Sequence, residues 1–147
     1  SSIVRARRIK PIETTRDLAL IIEKAVGMKH GATSAFARAS ASKKVFQALR
    51  IAVNDELNSI REALPKALDL LENNGKLLVI SFHSLEDRIV KNLFLGFATK
   101  GYGEVITKKP IIPSFLEIEK NRRARSAKLR VFSAKGRSSP KALSSSG

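Results

Sequence analysis

The chain has 147 residues, no cysteine, 43% hydrophobic residues and a formal net charge of +15. That length predicts one domain or a piece of a larger one, with enough apolar material to bury a core. The missing cysteines exclude a disulfide scaffold, thiolate zinc sites and a cysteine nucleophile, and they fit a reducing cytoplasm. No apolar run reaches the length of a membrane span and no signal peptide is recognisable, so no membrane partner is expected.

The charge is uneven. Residues 1–50 hold 11 basic and 3 acidic side chains, residues 51–107 hold 6 and 8, and residues 108–147 hold 11 and 2. A near-neutral middle between basic ends predicts an ordinary core with flanks that face a polyanion. A membrane surface or an acidic protein is the alternative on charge alone.

Ile3 to Arg8 reads as a helix already under way, ended by Pro11. Thr14 or Thr15 with Asp17 supplies the cap of a second helix, whose Leu18, Ile21, Ile22, Ala25 and Val26 run to a stop at Gly27. Residues 30–44, rich in Gly, Ala, Ser and Lys, read as a loop. Phe46, Leu49, Val53, Leu57, Ile60 and Leu64 then form one apolar stripe of a long helix. Pro65 kinks or restarts that helix, and Asn73-Asn74-Gly75 ends it.

Lys76-Leu77-Leu78-Val79-Ile80, flanked by helices, predicts a buried parallel strand. Ser81 to Ser84 is expected as a loop and Leu85 to Phe97 as a helix. Residues 98–113 read as irregular, with a short strand at Val105-Ile106. Phe115 to Glu119 predicts a helical turn, Lys128 to Ser133 a last strand, and residues 135–147 a mobile tail.

Two clusters carry chemistry. In open α/β sheets ligands sit beyond the carboxyl ends of strands, where Ser81, His83, Glu86 and Asp87 fall. His83 there suits a base, a hydrogen-bond donor or a substrate contact. Helix capping by Ser84, with Glu86 and Asp87 favouring the helix's positive end, is the plainer explanation. The absence of a Gly-x-Ser-x-Gly turn argues against a Ser-His-Asp hydrolase. The second cluster runs from Asn121 to Arg130, where Arg122, Arg123 and Arg125, with Lys108 and Lys109 upstream, suit phosphate. A solvated basic surface is the alternative. Neither a Walker pattern nor Gly-x-Gly-x-x-Gly occurs, and His30 and His83 show no metal-ligand spacing, so no metal is expected.

Three blocks then stop being generic: Phe46-Gln47-Ala48-Leu49-Arg50-Ile51 with Asn54, Glu56 and Leu57; Ile80 through Lys91, reading Ile-Ser-Phe-His-Ser-Leu-Glu-Asp-Arg-Ile-Val-Lys; and Asn121 through Arg130. In this order they resemble the bacterial 16S ribosomal RNA cytosine-N4 methyltransferases, the MraW family, over most of residues 3–133.

The resemblance implies an α/β fold: the end of an inserted helical domain, then the C-terminal portion of a Rossmann-like class I methyltransferase sheet. It implies domains at 1–60 and 61–133, with a basic, Ser-rich tail at 134–147. The implied activity is S-adenosylmethionine-dependent methylation of a cytosine N4 in small-subunit ribosomal RNA, in a bacterial cytoplasm. Ser81, His83 and Glu86 become candidates for the substrate pocket, and Lys108, Lys109, Arg122, Arg123 and Arg125 for RNA.

The family's glycine-rich loop, ribose-binding acid and Asp-Leu-Gly stretch do not occur here. The chain is therefore expected to be a fragment lacking the cofactor-binding half, inactive alone and without bound cofactor. Its expected partners are the missing N-terminal half, the RNA, and a second copy that covers an exposed sheet edge. The alternative is a non-catalytic RNA-binding or structural remnant that needs a separate N-terminal partner. Two departures stand out: Ser40 to Val45 replaces the family's His-Pro-Ala-Thr stretch, and Arg122 replaces the proline of Asn-Pro-Arg-Ala-Arg-Ser.

Overall fold

A computed structural model describes residues 2–30 and 35–135. The chain divides into two compact units, Ser1–Asp55 and Glu56–Gly147.

The first unit is helical: α1 (Ser2–Ile9), α2 (Thr15–His30) and α3 (Ala35–Asn54). The start of α2 is a reciprocal cap. The Asp17 N–H donates to Thr14 Oγ1 at 3.1 Å, and the Asp17 carboxylate accepts from the Thr14 N–H at 3.1 Å and from its hydroxyl at 2.7 Å. That hydroxyl bond also holds the Asp17 carboxyl below its ordinary pKa.

Two expectations fail in this unit. Helix α2 runs through Gly27 instead of stopping there. The stretch read as a loop is helical from Ala35 onward; only residues 31–34 of it, and the side chain of His30, lie outside the described residues. Few large apolar groups made it look like a connection, yet Ala and Lys are strong helix formers without them.

The single long helix is also two. The helix breaks at Asp55, whose φ of 50° lies in the left-handed region that aspartate tolerates better than most residues. Helix α4 (Glu56–Asp69) then carries Pro65 inside it with no break. The proline removes one backbone donor, but Leu64 and Leu68, buried on either side of it, hold that face of the helix against the core.

The second unit continues with β1 (Lys76–Ser81), α5 (Ser84–Thr99), β2 (Gly103–Val105), α6 (Phe115–Lys120) and β3 (Lys128–Ala134). The tail lies outside the described residues from 136 onward. The sheet order is β1-β3-β2, and β3 is antiparallel to both neighbours. The expectation that β1 pairs in parallel is therefore wrong for its direct partner. Strands β1 and β2 do run parallel to each other, joined through α5, but β3 is inserted between them. The ladder pairs Leu78 with Val131 and Ile80 with Leu129.

Burial of β1 is one-sided as well. Leu77, Val79 and Ser81 face the helices, while Leu78 is 58% exposed and Ile80 60%. A continuous apolar run predicts two covered faces; only one is covered among the described residues.

The core joins Leu64 and Leu68 of α4, Val90, Phe94 and Phe97 of α5, and Phe132 and Ala134 of β3. Phe132 is fully buried, with its ring centroid 5.4 Å from Phe94 and 5.8 Å from Phe97. The backbone of β2 comes close enough to need glycine: a Cβ on Gly103 would stand 2.0 Å from the Ser133 carbonyl and 2.8 Å from the Phe132 ring.

Candidate functional site

Strand β1 delivers the chain to the start of α5, where the polar residues of the central motif meet. Ser81 is buried and its hydroxyl reaches the Lys128 carbonyl at 3.5 Å. The helix cap is His83, not Ser84, which is already the first helical residue. His83 Nδ1 accepts the Glu86 backbone N–H at 3.2 Å. In return Glu86 Oε2 accepts the backbone N–H groups of Phe82 at 2.9 Å and His83 at 3.2 Å. Histidine thus takes the capping-box place usually held by Ser or Thr.

The cap fixes the imidazole's chemistry. With its Nδ1 lone pair taking an N–H, a neutral His83 carries its proton on Nε2. That nitrogen is buried and makes no hydrogen bond within normal geometry. It points among carboxylates, 3.4 Å from Glu86 Oε1 and 3.8 Å from Oε2 of Glu56 at the head of α4. His83 therefore exposes no lone pair that could take a proton from substrate.

Donor atoms of Glu56, His83 and Glu86 lie within 4.8 Å of one another, a spacing a divalent cation could use. The tautomer opposes it. A metal needs the Nε2 lone pair, and freeing it would put a proton on Nδ1, facing the Glu86 N–H. The sequence showed no partner for His83 because Glu56 arrives from a separate helix.

Asp87 is committed elsewhere. Its carboxylate is held bidentately by Arg130, with Nε at 2.7 Å and Nη2 at 3.2 Å, and Lys128 Nζ lies 3.6 Å away. The Arg130 hydrogen bonds hold the Asp87 carboxyl below its ordinary pKa, against burial, which pushes it up; the Arg130 and Lys128 charges add to the lowering. Arg130 is the arginine of the cluster that packs inside, its side chain 6% exposed. Strand alternation could have singled it out, since Arg130, Phe132 and Ala134 share the buried face of β3.

The other arginines are placed differently. Asn121 caps a short 3₁₀ helix, Arg122–Ser126, by accepting the Arg123 N–H at 3.1 Å. Ala124 is buried and anchors this turn, while Arg122, Arg123 and Arg125 are exposed. At three residues per turn, Arg122 and Arg125 project from the same side. Arg122 holds the first helical position, where proline also fits, so its exchange for proline leaves the turn intact. Lys108 and Lys109 are exposed too. Lys108 additionally lines a cavity of about 380 Å³ between α5 and β2, whose walls include Phe94, Leu95, Ala98 and Val105. No helix among the described residues is long and apolar enough to cross a membrane.

Similarity to known proteins agrees with this arrangement of blocks. The chain is 47% identical over 131 residues to ribosomal RNA small subunit methyltransferase H of Coprothermobacter proteolyticus, covering 89% of this chain and 42% of that protein. It is 48% identical over 132 residues to the protein of that name in a Sulfurihydrogenibium species, covering 88% and 43%. The figures for its namesake in Borrelia garinii subsp. bavariensis are 47% over 131 residues, covering 89% and 42%. The chain thus spans less than half the length of these curated relatives. Residues 1–135 match the profile of the MraW methylases, and the chain belongs to the MraW methylase family.

Proposed function

We propose that this chain is the C-terminal, RNA-facing part of an S-adenosylmethionine-dependent enzyme that methylates the N4 amine of a cytosine in 16S ribosomal RNA. The observation that carries this reading is the 47–48% identity to proteins named for small-subunit ribosomal RNA methylation. S-adenosylmethionine supplies the methyl group. Its binding belongs to the part of the family's length that this chain does not span. The residues here do not fit it: at the head of α5 the Glu86 N–H is taken by His83 Nδ1, and the Phe82 and His83 N–H groups just before the helix are taken by Glu86 Oε2. What this chain supplies is a surface for phosphate, at Arg122, Arg123, Arg125, Lys108 and Lys109, and a polar cluster at the end of β1.

The uncovered apolar face of β1 supports the same reading, because Leu78 and Ile80 need a covering layer. The chain alone should also self-associate through the β1 edge, which no strand covers among the described residues. Light scattering checks this, and a rigid monomer at every concentration would count against it.

A non-catalytic RNA-holding module is the second reading, favoured by the 42–43% coverage of the relatives. One experiment separates the two. The chain is fused behind the N-terminal portion of the Sulfurihydrogenibium relative and incubated with small-subunit ribosomal RNA and labelled methyl donor. Label on a cytosine N4 is expected. A folded fusion that binds RNA yet transfers no label would overturn the enzymatic reading. The unfused chain should show no saturable heat on titration with S-adenosylmethionine.

A further inference from the structure

Beyond its capped first turn, α5 and the edge strand β2 frame a cavity of about 380 Å³. That lies within the roughly 300–1,000 Å³ of small-ligand pockets. Lys91, Phe94, Leu95 and Ala98 follow one another at helical spacing, so one face of α5 forms a wall. Leu95, Ala98 and Val105 make the lining apolar, with fully buried Phe94 behind them. One charged group belongs to this lining and is more than nine-tenths buried: Arg130, its side chain 6% exposed. Asp87 takes its Nε and Nη2, which fixes the guanidinium plane and offsets its charge. What Arg130 offers the cavity is therefore a held N–H donor, since the Nη1 groups are not engaged by Asp87. Charge enters at the rim, where exposed Lys91 and Lys108 face a single carboxylate, Glu104. An occupant has to be apolar in its body, accept a hydrogen bond at its inner end and carry an anion at its outer end. A fatty acid lacks the inner acceptor and inorganic phosphate lacks the body. A nucleotide has a ring, a ring carbonyl and a phosphate.

We propose that this cavity takes one unpaired nucleotide of the RNA, its base between Leu95, Ala98 and Val105, a ring carbonyl on Arg130 and its phosphate on Lys91 and Lys108. The inference rests on the RNA-facing reading and deepens it. Exposed arginines hold phosphates without regard to sequence, whereas the cavity adds one position where an unstacked base is read. Lys108 belongs to both surfaces. Uracil, cytosine and guanine carry the carbonyl that arginine can meet, and adenine does not. Any hairpin loop can offer such a base, so the preference is for an unpaired position and not for one RNA.

The test titrates the ¹⁵N-labelled chain with uridine monophosphate, adenosine monophosphate and inorganic phosphate. The uridine nucleotide should shift the backbone amides of Leu95, Ala98 and Val105 saturably. The adenosine nucleotide should bind about tenfold more weakly, for want of one hydrogen bond to a charged donor. Phosphate alone should leave those amides in place. Ala98→Leu fills the cavity without touching a charge and should weaken the uridine nucleotide about tenfold or more. Its melting temperature should be the parent's; if it melts early, the double variant Lys91→Met, Lys108→Met decides, by weakening uridine monophosphate while leaving uridine itself unaffected. A duplex with one unpaired uridine should lose affinity for Ala98→Leu, and the fully paired duplex should not. Equal binding of the two nucleotides, the same shifts from phosphate alone, or indifference to the deciding variant would overturn the proposal. So would free-nucleotide binding with no effect of Ala98→Leu on the duplex carrying the unpaired uridine. The reading beneath it fails separately. A silent cavity, with hairpin binding still weakened by exchange of Arg122, Arg123 and Arg125, sinks the nucleotide site alone. Nucleotide binding in the cavity, with hairpin binding indifferent to that exchange, sinks the arginine surface alone.

Discussion

Asp87→Ala is expected to cost the Glu56–Gly147 unit about 3–5 kcal/mol, the range for removing one partner of a buried ion pair. The reason is what remains behind: Arg130, its side chain 6% exposed, would keep a full charge in the sheet with no carboxylate at 2.7 Å. Asp87→Asn should cost less, because an amide oxygen can still accept one of the two guanidinium bonds.

Acid should act through the same pair. The folded Asp87 carboxyl is held below its ordinary value of 3.8, so the unfolded chain binds its proton first as pH falls. The stabilisation from this group is therefore complete above the ordinary carboxylate range. It is lost as pH drops through the depressed folded value. Thermal unfolding across an acidic pH series should show the parent chain losing stability faster than Asp87→Asn. Parallel curves would mean that the pair does not carry the acid sensitivity.

Phe132→Ala should be the most damaging apolar change, at about 3–5 kcal/mol. Phe132 is fully buried and touches the aromatic rings of both Phe94 and Phe97, so its removal leaves a cavity that two rigid rings cannot readily fill. Denaturant titration should show a lower midpoint with an unchanged slope. Leu78→Ser, on the neighbouring strand but 58% exposed, should stay within about 0.5 kcal/mol. Equal losses at the two positions would place the core on the wrong face of the sheet.

How far the sequence discloses this structure depends on the range of each interaction. The Thr14–Asp17 cap, the Asn73-Asn74-Gly75 turn, α5, the short strand near Val105 and the last strand are local patterns, and the fold contains all of them. The break at Asp55 was not legible, because the apolar stripe continues through it and Pro65 is the louder signal. Residues 35–44, the first half of α3, read as a loop because they lack a strong apolar face, although their helix propensity is sufficient. One-sided burial of β1 and its antiparallel partner depend on what packs from elsewhere, and an apolar run says nothing about that.

The candidate site divides the same way. The capping function of the Ser-Phe-His-Ser-Leu-Glu-Asp block was legible from spacing, but the capping residue was not. The partnership of His83 with Glu56 requires the head of α4 to meet the head of α5, which no short motif encodes. The arginines of the third block are chemically alike in the sequence. Strand phase buries Arg130, and a 3₁₀ turn anchored by Ala124 exposes Arg122, Arg123 and Arg125.

The salt dependence of RNA binding tests that division most directly. The parent chain and the triple variant Arg122→Ala, Arg123→Ala, Arg125→Ala would each be titrated with a small-subunit ribosomal RNA hairpin and an unrelated hairpin over a range of salt. Binding by the parent should fall steeply with salt and differ little between the two RNAs. The triple variant should weaken both about equally and flatten the slope by roughly one unit per lost phosphate contact. Its melting temperature should stay that of the parent. A variant that melts early and keeps the parent's slope would show these arginines to be packing residues, and would contradict an RNA-facing role for this surface.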